Sequence, residues 1–142
     1  GLAAAGLFAA DSANIWTSAD IMKGLKSSKA DSHKISGMSL AQYPGYKMSI
    51  SKREASGIPE LHQKVDDIFV VESGECTLVT GGKIVGAKTT EPNEVRGQTI
   101  EGGTKRSIAT GDVVHIPANM PHQMLLDEGK QITYAVVKVD GR

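Results

Sequence analysis

The strongest constraint on the fold is the punctuation after His33, where glycine and proline turns cut the chain into short extended segments. Pro44-Gly45 marks a turn, and beyond it Tyr46, Met48 and Ile50 alternate with Lys47, Ser49 and Ser51. That is the period of a strand with one buried face. Ile68-Phe69-Val70-Val71 is β-branched and aromatic and stops at Ser73-Gly74. Cys76 to Thr80 resumes the extended pattern, Gly81-Gly82 turns again, and Val113–Ile116 and Ile132–Val139 supply further strands. No one of these strands can cover its own apolar face, so they must pack as a sandwich or a closed barrel. The expected fold class is all-β.

The N-terminal part reads differently. A helix is predicted from Ser18 to about Ala30, with Thr17 as its cap and Asp20 completing a capping box. Ile21, Met22 and Leu25 share one face and Lys23, Lys26 and Lys29 lie largely on another, so this helix packs and carries no site. Before it, Leu2 to Ala10 is apolar, rich in small residues and too short to span a bilayer. It is either the end of a clipped signal peptide, which implies export to the periplasm, or an arm that packs on the barrel or on a partner subunit; otherwise the compartment is the cytoplasm. The expected organisation is an arm and helix over residues 1–32 and one barrel domain over 33–142.

Length and charge narrow the function. A chain of 142 residues supports one core without disulfide staples. Sixteen basic and sixteen acidic side chains balance, with no basic stripe, which argues against a nucleic-acid partner. No segment has transmembrane length, so no membrane partner is expected. Cys76, the one cysteine, lies in an apolar strand and reads as an inert core thiol. No Gly-x-Ser-x-Gly frame or phosphate-binding glycine loop is present.

Two segments hold the residues that carry chemistry. The first runs from Glu60-Leu61-His62 through Asp67 to Gly74; the second runs from Gly111 through Pro117 and Asn119 to His122. Together they resemble the two signature motifs of the cupin superfamily. Gly111, Pro117 and His122 match the second motif, with Asn119 in place of its middle glycine; Asn tolerates the left-handed backbone such a turn needs. In the first motif, aligned on Gly74, the acidic position falls on Asp67, the second histidine on His62 and the first on Glu60. The resemblance spans roughly Tyr46 to Val139. It implies a double-stranded β-helix, or jelly-roll, cupin barrel with one N-terminal helix.

It also implies a metal centre of Glu60, His62, Asp67 and His122. Glu60 and His62 are two apart, so on a strand they project from the same face. Imidazole with carboxylate suits one divalent transition-metal ion, Zn, Fe, Mn or Ni. Asp67 is one methylene shorter than the family's Glu, so the inner shell is either all four groups or Glu60, His62 and His122 alone. Glu60 or Asp67 acts as ligand or as catalytic base. Alternation places Phe69 and Val71 inward after Asp67, and Met124 and Leu126 inward after His122. Phe69, Met124 and Tyr134 are therefore expected in the pocket wall, with Lys64 facing a bound acid or a carboxylate. His115 reads as a partly buried structural or interface residue.

One connection interrupts the rhythm. Lys83 to about Thr104 has four glycines and little apolar periodicity, and is expected to be a long structureless loop. Its Arg96 either reaches over the mouth to an anionic substrate group or pairs with Glu94 or Glu101 at the surface. The resemblance, joined to the apolar arm, leads us to expect a homodimer. The function it implies is a mononuclear-metal oxygenase or isomerase acting on a small polar organic ligand. The alternative is a cupin that binds or senses such a ligand without turnover.

Overall fold

The structure, a computed structural model, describes residues 12–141. The apolar run from Leu2 to Ala10 lies outside the described residues. Among the described residues, one helix, α1 (Ser18–Ser27), precedes twelve strands: β1 (Ile35–Tyr43), β2 (Tyr46–Arg53), β3 (Glu60–His62), β4 (Val65–Thr80), β5 (Lys83–Val85), β6 (Lys88–Glu91), β7 (Glu94–Arg96), β8 (Thr99–Glu101), β9 (Thr104–Ala109), β10 (Val113–Ile116), β11 (His122–Leu125) and β12 (Ile132–Asp140).

All pairings are antiparallel. Strand β4 organises them, because its two halves belong to different layers. Val65 to Gly74 pairs with β12 and β10, whereas Glu75 to Thr80 pairs with β9 and β11. The first layer continues from β12 through β2 to β1, and the second from β11 through β3 and β7 to β6. The bend falls at Gly74, whose φ of 80° leaves the right-handed region. A Cβ at Gly74 would run into the Gln131 carbonyl oxygen, so only glycine fits.

Alternating residues of both layers meet in one core. Phe69 and Val71 of the first half of β4 join Cys76 and Leu78 of the second, with Ile116, Met124, Ile132, Tyr134 and Val136. Phe69 and Tyr134 meet edge-on, with ring centroids 5.0 Å apart. Burial raises the Cys76 thiol to about 11, which keeps it neutral and unreactive.

A second, smaller cluster of Ile21, Leu40 and Ile50, flanked by Trp16, Leu25 and Met38, seats α1 on the opposite face of the first layer. The capping box forms as expected: the Thr17 hydroxyl accepts from the Asp20 amide, and the Asp20 carboxylate accepts from the Thr17 amide. The helix ends at Ser27, short of the expected Ala30. There the Ser27 hydroxyl donates to the Lys23 and Gly24 carbonyls, and Ser28 turns extended to bond Gly37. Among the described residues, no helix is long and apolar enough to cross a membrane.

Two expectations are corrected. The segment 83–104 is no structureless loop, since it forms β5 to β8, each of three or four residues, turning at Gly86 and at Asn93 with φ 65°. Strands this short show no detectable period, and β7 is held by pairing with the distant β3. His115 is exposed rather than partly buried: it shares the outward face of β10 with Val113, and its Nε2 lies 2.8 Å from Asp66.

Candidate metal centre

The site lies at one end of the barrel, where β3, β4, β11 and β12 bring together residues far apart in sequence. Glu60 sits opposite His122 in the β3–β11 register, and Lys138 sits opposite Asp67 in the β12–β4 register. The turn before β11 depends on Asn119 with φ 65°, the left-handed conformation expected of it. The Asn119 amide donates to the His62 carbonyl at 2.7 Å, so this turn ties the two motifs together.

One donor atom each from Glu60, His62 and His122 can be chosen so that all lie within 4.8 Å of one another. The two imidazole centroids are 5.2 Å apart. Asp67 Oδ2 lies 3.2 Å from His62 Nε2 and 3.6 Å from His122 Nε2, and Glu60 Oε2 lies 3.8 Å from His122 Nε2. His62, Asp67 and His122 are buried, and Glu60 is half-buried.

The hydrogen bonds orient both rings. His122 Nδ1 donates to the Met120 carbonyl at 3.0 Å, which leaves a lone pair on Nε2. That Nε2 is buried and, among the described residues, has no hydrogen-bond partner. Burial lowers the His122 pKa against the pull of Glu60 and Asp67, so the ring is held neutral with its lone pair toward two carboxylates. His62 Nδ1 lies 2.8 Å from both Glu94 oxygens, and its Nε2 faces Asp67. Burial alone would lower its pKa, but hydrogen bonds to Asp67 and Glu94 prevail and raise it. Burial would likewise raise the Asp67 carboxyl; His62 and Lys138 overcome this and hold it at about 2.

Apart from Arg96, the outer contacts fall on residues that sequence reasoning did not place at the site. Lys138 Nζ lies 2.7 Å from Asp67 Oδ1 and 3.4 Å from His62 Nε2. Its signal was legible in part, because Tyr134, Val136 and Lys138 share one face of β12 and the first two are core residues. Glu94 carried none, since only the pairing of His62 with Glu94 across β3 and β7 brings it near. Arg53 donates from Nε to the Tyr134 hydroxyl at 3.0 Å, with a nitrogen 3.8 Å from Glu60. Arg96 joins Glu60 at 3.3 Å and Glu94 at 3.2 Å, bridging two carboxylates of the site.

A cavity of about 390 Å³ opens beside His62, lined by Tyr43, Tyr46, Lys64, Glu94 and Lys138, among others. Lys64 follows the end of β3 and borders this cavity. Phe69, Met124 and Tyr134 lie deeper, in the packed core between the layers.

No protein-family model matches the sequence, and no curated protein matches it. Solved structures do. The polyketide cyclase RemF from Streptomyces resistomycificus is 16% identical, with a TM-score of 0.56 over 83% of this chain and 78% of that one. The Cnp3 cupin domain of Schizosaccharomyces pombe is 9% identical, with a TM-score of 0.58 over 82% of this chain and 67% of that one. KdgF from Halomonas sp. is 17% identical, with a TM-score of 0.53 over 77% and 82%. At these identities the likeness is one of fold. The chain has the cupin fold, an all-β barrel preceded, among the described residues, by one helix.

Proposed function

We propose that this cupin barrel holds one divalent transition-metal ion and acts as an oxygenase or isomerase on a small polar organic ligand entering beside His62. The observation that carries the reading is the buried, partnerless Nε2 of His122. A buried polar atom left unpaired costs about 1–3 kcal/mol, and a bound ion gives this lone pair its partner. The donor set fits such an ion: an imidazole and a half-buried carboxylate of β3 converge with an imidazole of β11, with a fourth donor in Asp67 of β4.

His62, His122 and Glu60 would hold the ion, with Asp67 as a further ligand or counter-charge. A bound Zn, Fe, Mn or Ni ion would supply Lewis acidity toward a ligand oxygen. The chain's own residues do the rest. Glu94 orients His62 as carboxylates orient ligating histidines elsewhere, and Arg53 and Arg96 hold Glu60 in place. A carboxyl held at about 2 accepts protons poorly near neutrality, so Asp67 serves as ligand or counter-charge rather than as a base. The cavity beside His62 has lysine, tyrosine and carboxylate groups for a polar ligand. RemF, a polyketide cyclase, is an enzyme on this fold, and a fold alone does not select a reaction.

The test is metal content. Protein purified without a metal-affinity tag is exposed to Zn, Mn, Fe(II) and Ni, dialysed and analysed. About one ion per chain is expected, with none in His62→Ala. Failure to retain any of the four would end the reading. Turnover of a bound ligand then separates the enzyme from a binding or sensing protein.

A further inference from the structure

Lys138 stands inside the candidate centre. Its ammonium is 2.7 Å from Asp67 Oδ1 and 3.4 Å from His62 Nε2, while the other Asp67 oxygen is 3.2 Å from the same His62 nitrogen. Asp67 is 1% exposed, so its charge cannot be met by water. In the absence of an ion, Lys138 neutralises it. A dication drawn to His62 and Asp67 needs the electrostatic position that this ammonium already fills.

We infer that Lys138 is the resident cation of the site and that a divalent ion binds only by displacing it, an inference that rests on the metal reading above. The side chain is built for this. Lys138 borders the open cavity and is 27% exposed, and its flexible stem lets the head group swing outward. Glu91, Glu94 and Asp140 line that cavity and offer acceptors for the displaced ammonium. Lysine suits an exchangeable position better than arginine, whose bidentate fork would grip Asp67 more rigidly.

The experiment compares the full chain with Lys138→Gln and Lys138→Arg, measuring Zn(II) and Mn(II) affinity by competition with a chromophoric chelator. Gln keeps a donor for Asp67 and removes the charge; Arg keeps the charge. With no Lys138–Asp67 ion pair to break before the ion enters, Lys138→Gln should bind either metal about tenfold or more tightly than wild type. Lys138→Arg should bind no tighter than wild type, and metal-free Lys138→Gln should melt lower and recover on loading. A packing role would lower both melting temperatures without tightening affinity. In wild type, labelling of Lys138 by an amine-reactive reagent, read by mass spectrometry, should rise on metal loading. This second readout holds even if Lys138→Gln fails to fold.

Unchanged or weaker affinity in Lys138→Gln overturns the inference, as does labelling that ignores the metal, and either result leaves the metal centre standing. Binding by none of the three proteins overturns inference and metal centre together. Binding by Lys138→Gln alone shows that no ion displaces Lys138 in the native protein, and it overturns the inference and the metal centre of the native chain together.

Discussion

Replacing His122 by Leu should stabilise the metal-free protein while abolishing its response to metal. The magnitude follows from three contacts. His122 Nε2 is buried without a partner, and relieving an unmet polar atom recovers about 1–3 kcal/mol. Its lone pair also faces Asp67 Oδ2 at 3.6 Å and Glu60 Oε2 at 3.8 Å with no proton between, a repulsion that Leu removes. Against this, Leu loses the Nδ1 hydrogen bond to the Met120 carbonyl, worth about 1 kcal/mol. The balance favours Leu by about 1 kcal/mol, or about 3 °C in melting temperature for a chain this long. With metal at about a hundredfold its dissociation constant, wild type gains about 2.7 kcal/mol and the variant gains nothing. The order of stability therefore reverses between chelator and metal buffer. Calorimetry of both proteins in both buffers reads the crossing. A wild type more stable than His122→Leu in chelator, or a variant still stabilised by metal, would refute the assignment of Nε2 as a ligand atom.

Glu94→Ala should weaken metal binding by about 10–100-fold, because His62 loses the carboxylate that orients it, and Glu94→Gln should weaken it less; equal affinity in all three proteins by chelator competition rejects the role. Asp67 gives the metal-free protein a pH dependence. Its folded carboxyl, at about 2, lies below the ordinary value of 3.8, so its stabilisation is complete above about pH 4 and is lost as pH falls toward 2. At 1% exposure this amounts to about 2 kcal/mol. Urea unfolding between pH 2 and 6 should be less pH-dependent in Asp67→Asn by that amount, and identical slopes would contradict it.

The sequence by itself determined the elements whose signal is local. The alternation of Tyr46 to Ser51 and of Ile132 to Val139, and the turn at Gly81-Gly82, specify strands and a turn because side-chain period and backbone freedom are properties of neighbouring residues, whereas Ser73-Gly74, expected to end a strand, lies inside the continuous β4, which exchanges partners there. The Thr17–Asp20 capping box and the left-handed Asn119 were legible for the same reason. So was the inward alignment of Asp67, Phe69 and Val71. Tertiary structure decided the partners. Glu94 meets His62 only through the pairing of β7 with β3, and Lys138 meets Asp67 only through the pairing of β12 with β4. The segment 83–104 could not be read as strands, because three-residue strands have no period and take their shape from distant neighbours. His115 looked partly buried because alternation groups residues by face without saying which face is covered. Local chemistry sets which way each side chain alternates; the closing of the barrel sets what it finds there.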